Sequence, residues 1–296
     1  MNGVTLIGGS AADVVFGDPA RWHPVAGFGR LATWLERGLY APTRARGAGF
    51  TLLLVGGAAI VGKALGRIAA LRLALTWAAL GGRSLVARSR AIASALDGGN
   101  IDAARAALPA LAGRDPDALD EHGIARAVVE SLAENTGDAI LGVLVWGAFA
   151  GAPGVAAYRA VNTLDAMVGH RSERYREFGW AAARLDDLMS WPGARLGALI
   201  AAGCAPIVGG SPAAAWEVVL RDGAAHPSPN AGRLEAAFAG ALGVRLGGPL
   251  SYEGRSESRP ALGDGPAPGV GDIRRAARLS TAVAVVATVL CAGVAR

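Results

Sequence analysis

Ionisable side chains stand directly against an apolar run in SLAENTGDAILGVLVW, residues 131–146. The polar residues in and before this stretch recur at intervals of four, as His122, Arg126, Glu130, Glu134 and Asp138. On a helix, this spacing places them in one slowly drifting stripe. The spacing alone favours a solvated helix face with an Arg126–Glu130 ion pair. The functional alternative is a stripe that carries carboxylates down to the surface of a membrane.

Two further motifs contain residue types that suit ligand chemistry. Asp186 and Asp187 are adjacent carboxylates, which point roughly 100° apart on a helix, so that one can face a site while the other faces water. Their oxygens suit hard cations such as Mg²⁺, and an ordinary exposed acidic pair is the equally weighted alternative. The sequence HPSPN, residues 226–230, is a rigid turn that presents His, Ser and Asn. It either caps a helix that begins near Ala231 or holds polar groups toward a ligand.

The elements that must position these residues are predicted to be membrane helices. The chain has 296 residues, of which 52% are hydrophobic and only 18% charged, and its mean hydropathy is +0.34; about 25% charged residues is usual in soluble domains. The apolar stretches are rich in Ala and Gly, which suits close helix packing. They are Met1–Phe16, Phe50–Leu80, Ala139–Val161, Ala194–Trp216 and Ser280–Ala295.

We therefore expect an all-α fold, a polytopic helical membrane protein with large amphipathic and polar loops. A soluble helical protein with buried helices is the alternative. The chain has no internal repeat and no strand pattern of alternating β-branched residues. The predicted polar loops, of which the second has a helical pattern, are Gly17–Gly49, Gly81–Asp138, Asn162–Gly193 and Glu217–Leu279.

Charge and residue usage argue against several classes of function. The net charge is +5, but the arginines lie mostly in loops beside apolar segments, where retention on the cytoplasmic side explains them better than nucleic acid does. Lys63 is the only lysine and lies in an apolar stretch, whereas a Schiff-base mechanism needs a lysine. The run GAAIVGK, residues 57–63, lacks the hydroxyl residue and the preceding strand of a phosphate-binding loop. The cysteines and histidines lack the spacing of a zinc site.

The segment Ala139–Val161 contains GAPG at residues 151–154, and Gly and Pro together tend to break a helix. A straight segment of this length crosses a bilayer once and separates Asp138 from Asp165. A segment that doubles back at GAPG brings both acids to one side. We favour the doubled-back form, because the loops on both sides are rich in acids and arginines. Such a turn must be buried in protein, since non-helical backbone is otherwise not tolerated in lipid.

Seven strings, in order over nearly the whole chain, carry a family resemblance. They are FGDP with WHPV (16–25), GRSL (82–85), GRD with RAVVESLAENTGDAI (113–140), GAPG with AYRAVNTLDAMVG (151–169), RY, FG and AARLDD (174–187), HPSPN (226–230) and GALGV with LGGP (240–249). Together they resemble the CobD/CbiB family of cobalamin biosynthesis, adenosylcobinamide-phosphate synthase. Residues 142–144, the run WPGAR at 191–195 and Pro227, where a small polar residue can occur, depart from the usual pattern, but no charged motif residue is lost.

The resemblance implies an ATP-dependent amide ligase in a membrane. Such an enzyme joins a carboxylate of adenosylcobyric acid to the amine of aminopropanol phosphate, or of aminopropanol, and forms adenosylcobinamide phosphate or adenosylcobinamide. A carboxylate acylates an amine at neutral pH only after activation, for which an acyl phosphate supplies the leaving group. That step calls for Mg²⁺ on the phosphates, for arginines that neutralise charge and for a base that takes the ammonium proton.

Set against this implied chemistry, the sequence offers residues for each role. Catalytic candidates are Glu134, Asp138 and Asp165. Metal candidates are Glu134, Asp138, Asp186 and Asp187. Candidates for substrate binding are Asn135, Arg159, Asn162, Arg174, Arg184, His226, Ser228 and Asn230. An arginine suits phosphate because its planar guanidinium binds two oxygens at once.

The resemblance further implies Mg²⁺ and ATP as co-substrate, a corrinoid as substrate and contact with membrane lipid and other late cobalamin-pathway enzymes. We expect one integral-membrane domain over residues 1–296, in the cytoplasmic membrane with its active site facing the cytoplasm. The main alternative is a non-catalytic corrinoid-binding or signalling membrane protein of the same ancestry, because fold alone does not fix function. A transporter would show paired interrupted helices in two halves, and the sequence has no such symmetry.

Overall fold

A computed structural model describes residues 1–19, 23–113, 115–170, 172–252 and 255–295, and the side chains of residues 249–257 lie outside that description. Trp22 of the WHPV string and Arg114 of the GRD string also lie outside the described residues.

Helices dominate the described chain, as the composition predicts. They are α1 (Gly3–Phe16), α2 (Pro24–Leu39), α3 (Arg44–Leu65), α4 (Ala69–Ala79), α5 (Gly82–Asp97), α6 (Ile101–Ala107), α7 (Glu121–Thr136), α8 (Gly142–Leu164), α9 (Trp180–Gly203), α10 (Pro212–Asp222), α11 (Ala231–Leu242) and α12 (Val270–Val294). Single π-helical turns at Gly137–Leu141 and Asp165–Gly169 flank α8, and short 3₁₀ turns occupy Leu108–Ala110 and Ala205–Val208. The strands β1 (Leu246–Tyr252) and β2 (Arg255–Leu262) form an antiparallel hairpin.

Within the described residues, three helical stretches are long and apolar enough to cross a membrane. They are Arg44–Leu65, Glu121–Gly169 and Val270–Val294. Large apolar side chains on α3 face outward, among them Leu52 and Ile60, which are 70% and 72% exposed. A water-facing surface seldom carries such side chains in clusters, whereas a lipid-facing one does. The expected all-α, membrane-type fold is confirmed.

The fold divides into two compact units, each built from separate parts of the chain. The first unit comprises Met1–Gly81, Asp138–Gly193 and Thr288–Arg296, and the second comprises Gly82–Gly137 and Ala194–Ala287. Because each unit is discontinuous, neither is a stretch of chain that could be excised. The single-domain interpretation stays a prediction.

The first unit has an aromatic and aliphatic core around α3, α8 and α9. Phe178 packs on Phe50 and on Tyr40, with ring centroids 5.1 Å and 5.2 Å away. Leu54, Leu164 and other buried side chains complete this cluster. Gly47 lets α3 lie directly on the Phe178 backbone, because a Cβ at that position would overlap the Phe178 carbonyl. This supports the prediction that Ala and Gly serve close packing.

The second unit is built around α11, whose side chains are almost all buried. Gly240 lets this helix approach α10, since a Cβ there would lie 2.6 Å from the Ala215 Cα. The buried residues of α11 are mostly alanine, with Leu234, Phe238 and Leu242 as the large apolar side chains. Among these small apolar side chains, the few buried ionisable groups need partners, because an unpaired buried charge is costly.

Several predicted boundaries are wrong for local reasons. Phe50–Leu80 contains two helices, because α3 ends at Leu65 before Gly66, and α4 begins only at Ala69. Ala194–Trp216 is not one segment, because Pro206, which cannot donate a helical hydrogen bond, stands where α9 gives way to a 3₁₀ turn. The predicted loops are largely helical, and the Gly-rich run after Leu246 forms the strands of a hairpin that no alternating pattern announces.

The doubled-back form of Ala139–Val161 is confirmed. Gly151 has φ +68° and ψ −152°, a conformation that non-glycine residues avoid, and it separates two helical arms. The arms pack on each other so closely that a Cβ at Gly142 would overlap the Tyr158 ring. In a straight helix these residues would lie about 24 Å apart at 1.5 Å per residue. Pro153, in the first turn of the second arm, has no amide hydrogen to leave unsatisfied.

Candidate active site

In the first unit, the helical hairpin and the start of α9 hold a continuous chain of polar side chains. The Arg159 Nη1 donates to the Asn162 Oδ1 at 3.1 Å, and the Asn162 Nδ2 donates to the Asp186 Oδ1 at 3.5 Å. The other Asp186 oxygen accepts from the Ser190 hydroxyl at 3.3 Å, and the Tyr158 hydroxyl lies 3.4 Å from the Ser190 Oγ. Arg159 and Asn162 lie within one turn of the second arm, and Asp186 and Ser190 lie one turn apart on α9.

Further charged groups surround this chain. Asp138 and Asp18 lie close enough to Arg159 to attract its guanidinium. Burial and, next, the charge of Asp165 raise the pKa of Asp186 to about 7, while hydrogen bonds from Asn162 and Ser190 work in the opposite direction. Two carboxylates that repel each other in this way are a pair that a cation between them would stabilise. The reversal at Gly151 is what brings Asp138 near enough to Arg159 for their charges to interact.

The Asp165 carboxylate lies against Gly169, four residues further along the same helical turn. A Cβ at Gly169 would overlap the Asp165 Oδ1, so only glycine leaves room for that carboxylate. Both residues belong to the π-helical turn that follows α8, and such turns are often found at functional sites. The same kind of turn, Gly137–Leu141, contains Asp138.

His23 also lies beside this cluster, at the start of α2. Its Nδ1 accepts from the Val25 amide and caps the helix. Burial lowers the pKa of His23, Asp18 raises it and Arg159 lowers it again. The imidazole is therefore biased toward its neutral form next to a cation and a carboxylate.

Two of the predicted phosphate ligands are engaged in other contacts. Arg174 donates to the Glu36 Oε1 at 2.9 Å and stacks over the Tyr40 ring, 4.0 Å from its centroid. Arg184 is exposed and pairs with Asp187 at 3.3 Å. The structure thus distinguishes the two neighbouring aspartates, as the 100° rotation between them predicts: Asp186 joins the polar chain, and Asp187 pairs with a surface arginine.

The second unit holds the remaining predicted residues. Glu134 is exposed near the end of α7. Asn135 donates to the Ser131 carbonyl at 2.9 Å and to its hydroxyl at 3.2 Å, bonds that hold its amide against the preceding turn.

The HPSPN turn is held in place by contacts within the second unit. The His226 Nδ1 accepts from the Ser228 amide at 3.1 Å, and its Nε2 lies 3.7 Å from the Glu235 Oε1. The Ser228 hydroxyl accepts from the Asn230 and Ala231 amides, where α11 begins, although the N-cap residue Asn230 itself makes no side-chain capping bond. Asn230 is 5% exposed, and its Oδ1 accepts from the Arg195 Nη1 at 2.6 Å.

The middle of the polar stripe on α7 does not face solvent. Glu130 is only 2% exposed, and its Oε1 accepts from the Gly247 amide at 2.7 Å. Arg126, one turn earlier, donates to the carbonyl of the same Gly247 at 2.9 Å. The favoured interpretation of the spacing is therefore wrong for Arg126 and Glu130, which hold the start of β1, whereas His122 and Glu134 are exposed.

Some residues of these clusters have no sequence signal that identifies them in advance. Tyr158 and Ser190 meet only because the chain reverses at Gly151, and Glu235 meets His226 only through the HPSPN turn. Asp186 and Ser190 do carry a usable signal, since polar residues four apart share a helix face. Among the described residues, no group of three or more His, Cys, Asp or Glu side chains is placed to hold a metal ion.

Helices fit to cross a membrane, together with a carboxylate and arginine cluster at a helical hairpin, define a membrane-type helical protein with a polar candidate site. The sequence matches the family described as CobD/Cbib protein over residues 6–280. The chain belongs to this family.

Curated relatives cover nearly the whole chain. The "Cobalamin biosynthesis protein CobD" of Mycobacterium tuberculosis is 52% identical over 293 residues, which are 97% of this chain and 94% of the relative. The proteins of the same name from Chromobacterium violaceum and Geobacter metallireducens are 43% and 42% identical, over 90% and 88% of this chain and 88% and 86% of those relatives. No solved structure matches.

Proposed function

We propose that this protein is the ATP-dependent amide ligase of cobalamin biosynthesis that joins adenosylcobyric acid to aminopropanol phosphate or aminopropanol. Family membership and relatives named for cobalamin biosynthesis support the pathway. The observation that carries the reaction type is the chain from Arg159 through Asn162 to Asp186, with Asp138 and Asp165 beside it. It combines carboxylates with a guanidinium, as activation of a carboxylate by ATP requires.

The donor set fits Mg²⁺ better than a transition metal. Asp165 and Asp186 repel each other, and both present only oxygen, the ligand that Mg²⁺ prefers. Mg²⁺ sites that hold nucleotides use one or two carboxylates and take their other ligands from phosphate and water. Asp165 and Asp186 would hold the ion, which neutralises phosphate charge when bound. Asp138 remains proposed as a further acid of this cluster, and Glu134 remains a separate catalytic and metal candidate.

The other side chains have roles that follow from their contacts. Arg159 is half-buried, and its Nη1 donates to Asn162, so its guanidinium is pre-oriented for a phosphate group. The Ser190 hydroxyl and the Asn162 amide orient the Asp186 carboxylate. We place the protein in the cytoplasmic membrane with this site toward the cytoplasm, where ATP is available. Lipid and other late cobalamin-pathway enzymes are its proposed neighbours.

One assay tests the proposal directly. Detergent-purified protein receives adenosylcobyric acid, Mg-ATP and either amino-alcohol, after which corrinoid products are separated and ADP is counted. We expect one ADP per new amide. Asp186→Asn removes a charge that orients the site and should lower the rate by about 100-fold or more, as loss of transition-state electrostatics does. Glu173→Gln removes an exposed carboxylate of the same unit and should keep the rate.

Folded wild-type protein that makes no amide with either amino-alcohol would contradict the ligase. Corrinoid binding without turnover would then favour the non-catalytic alternative. An Asp186→Asn variant as active as Glu173→Gln would leave the ligase standing but remove Asp186 from its active site.

A further inference from the structure

Helix α2 packs one face on the core of the first unit and leaves its other face open. The inward side chains recur every three or four residues and so share one side of the helix; they are Phe28, Ala32, Leu35 and Leu39. On the opposite side, Leu31 and Trp34 are 47% and 67% exposed. The outer face of this surface helix therefore also carries large apolar side chains.

The outer face of α2 borders an open cavity of about 420 Å³, a volume in the range of small-molecule sites. Its described lining, which lies wholly in the first unit, is Gly29, Arg30, Thr33, Trp34, Arg37 and Met167. Arg30 precedes Trp34 by one helical turn, and Arg37 follows it by another. Two guanidinium groups therefore flank one exposed indole, and the described lining contains no acid.

The two arginines of this cavity are not neutralised by other side chains that the structure describes. Arg30 and Arg37 are exposed, and neither makes a hydrogen bond or an ion pair within the described part of the chain. Glu36, which adjoins Arg37 in sequence, is only 7% exposed and faces the core. Its Oε1 accepts from Arg174 and from the Tyr175 hydroxyl, each at 2.9 Å. Both cavity arginines are therefore available to an anionic ligand.

The cavity adjoins the surface that carries the features of lipid contact. Four residues separate α2 from α3, which is long and apolar enough to cross a membrane. Ala32 shares its core cluster with Phe50, in the first third of α3, and nearby Leu52 is 70% exposed. Tryptophan is enriched where lipid meets water, and arginine reaches from apolar surface to headgroups. The composition of the outer face of α2 is thus typical of an interfacial helix.

We propose that α2 lies in the membrane interface and that its cavity binds the phosphate of an anionic phospholipid through Arg30 and Arg37. Arginine binds phosphate oxygens in pairs, and a basic side chain near an anionic membrane surface gains affinity from its charge. The Thr33 hydroxyl donates to the Gly29 carbonyl at 3.1 Å, so the arginines supply the donors. A free phosphate offers the same oxygens but has no acyl chain for Trp34 to contact, which favours the lipid.

Binding of fluorescently labelled phosphatidylglycerol to the full chain, purified in a neutral detergent, tests the site. Arg30→Gln and Arg37→Gln should each raise the Kd about fivefold, and the double variant should raise it further. Lysine at both positions should recover part of the affinity, and Trp34→Ala should weaken binding without removing a charge. The control Arg67→Gln removes an exposed arginine beyond the other end of α3 in the same unit and should bind like wild type. Because the substituted side chains are exposed, all variants should keep the wild-type thermal midpoint.

Competition identifies the ligand. Unlabelled phosphatidylglycerol should displace the label, whereas phosphatidylcholine, whose headgroup has no net charge, and inorganic phosphate should be at least tenfold weaker competitors. Equal displacement by phosphatidylcholine would overturn the selectivity for an anionic lipid. Displacement by inorganic phosphate as effective as that by phosphatidylglycerol would overturn the lipid and assign the cavity to a free phosphate. Unchanged affinity in the folded double arginine variant would overturn the site itself. The assay contains neither ATP nor corrinoid, so each outcome is independent of the proposed ligase.

Discussion

At the scale of single residues, Asp186 makes stability depend on pH in an unusual direction. Burial and Asp165 raise the pKa of its carboxyl from 3.8 to about 7. Between these values the folded protein binds a proton that the unfolded chain has released, so stability falls as pH rises from about 4 to about 7. The free energy of unfolding lost over this pH range is at most about 4 kcal/mol, at 1.36 kcal/mol per pKa unit.

We expect the thermal midpoint of wild-type protein in detergent to fall over this pH range by more than that of Asp186→Asn, which cannot ionise. Parallel curves for the two proteins would contradict the raised pKa. Asp165→Asn removes the charge that repels the Asp186 carboxylate, so it should lower the pKa of Asp186. The loss of stability should then end at a lower pH than in wild-type protein.

The sequence predicts some of these side-chain contacts and not others. The rotation between adjacent helical residues separates Asp186 from Asp187, and the contacts agree. The contact between Tyr158 and Ser190 is inaccessible to spacing, because it depends on a reversal and on a second helix. The spacing predicts that Glu130 faces solvent, but Glu130 is buried. Its partner is the glycine turn after Leu246, more than a hundred residues further along the chain.

At the scale of elements, the helical hairpin depends on one glycine. Gly151→Ala forces an L-residue to φ +68° and ψ −152°, which costs about 1–3 kcal/mol. We expect a lower thermal midpoint in detergent, followed by circular dichroism, and reduced amide formation, since the arms bring Asp138 near Arg159. Gly57→Ala is the matched control: it lies inside α3 with open space around it and should leave the midpoint unchanged or slightly raised. Equal midpoints for the two variants would contradict a strained turn.

Elements follow from sequence where a local rule decides them. The sequence GAPG predicts the reversal, because Gly and Pro both oppose a continuous helix. The β-hairpin is not announced, because residues 246–252 carry two glycines and a proline instead of alternating β-branched side chains. Gly247 is held by hydrogen bonds from its amide to Glu130 and from Arg126 to its carbonyl, which strand propensity does not record.

At the scale of the whole molecule, composition predicts helices fit for a membrane but not the two units, since these join parts of the chain that lie far apart in sequence. Contacts between distant segments decide that grouping, and no periodicity records them. Composition does predict the tight packing on Ala and Gly, since the same residues that raise the hydropathy also allow backbones to touch, as Gly47 does at Phe178.

The reversal also predicts membrane topology. The two helical arms that meet at Gly151 pack on each other, so that Gly142 lies against Tyr158 instead of about 24 Å from it. We therefore expect the hairpin to enter the membrane and return, with its two ends facing the same compartment. In protein whose buried Cys204 and Cys291 are replaced by serine, an impermeant maleimide should label Asp138→Cys and Ala166→Cys from the cytoplasmic side only. Phe149→Cys, exposed near the tip of the hairpin, should resist labelling from either side because lipid surrounds it. Labelling of the two ends from opposite sides would contradict the hairpin, whereas labelling of both from the outside would keep it and reverse the proposed orientation.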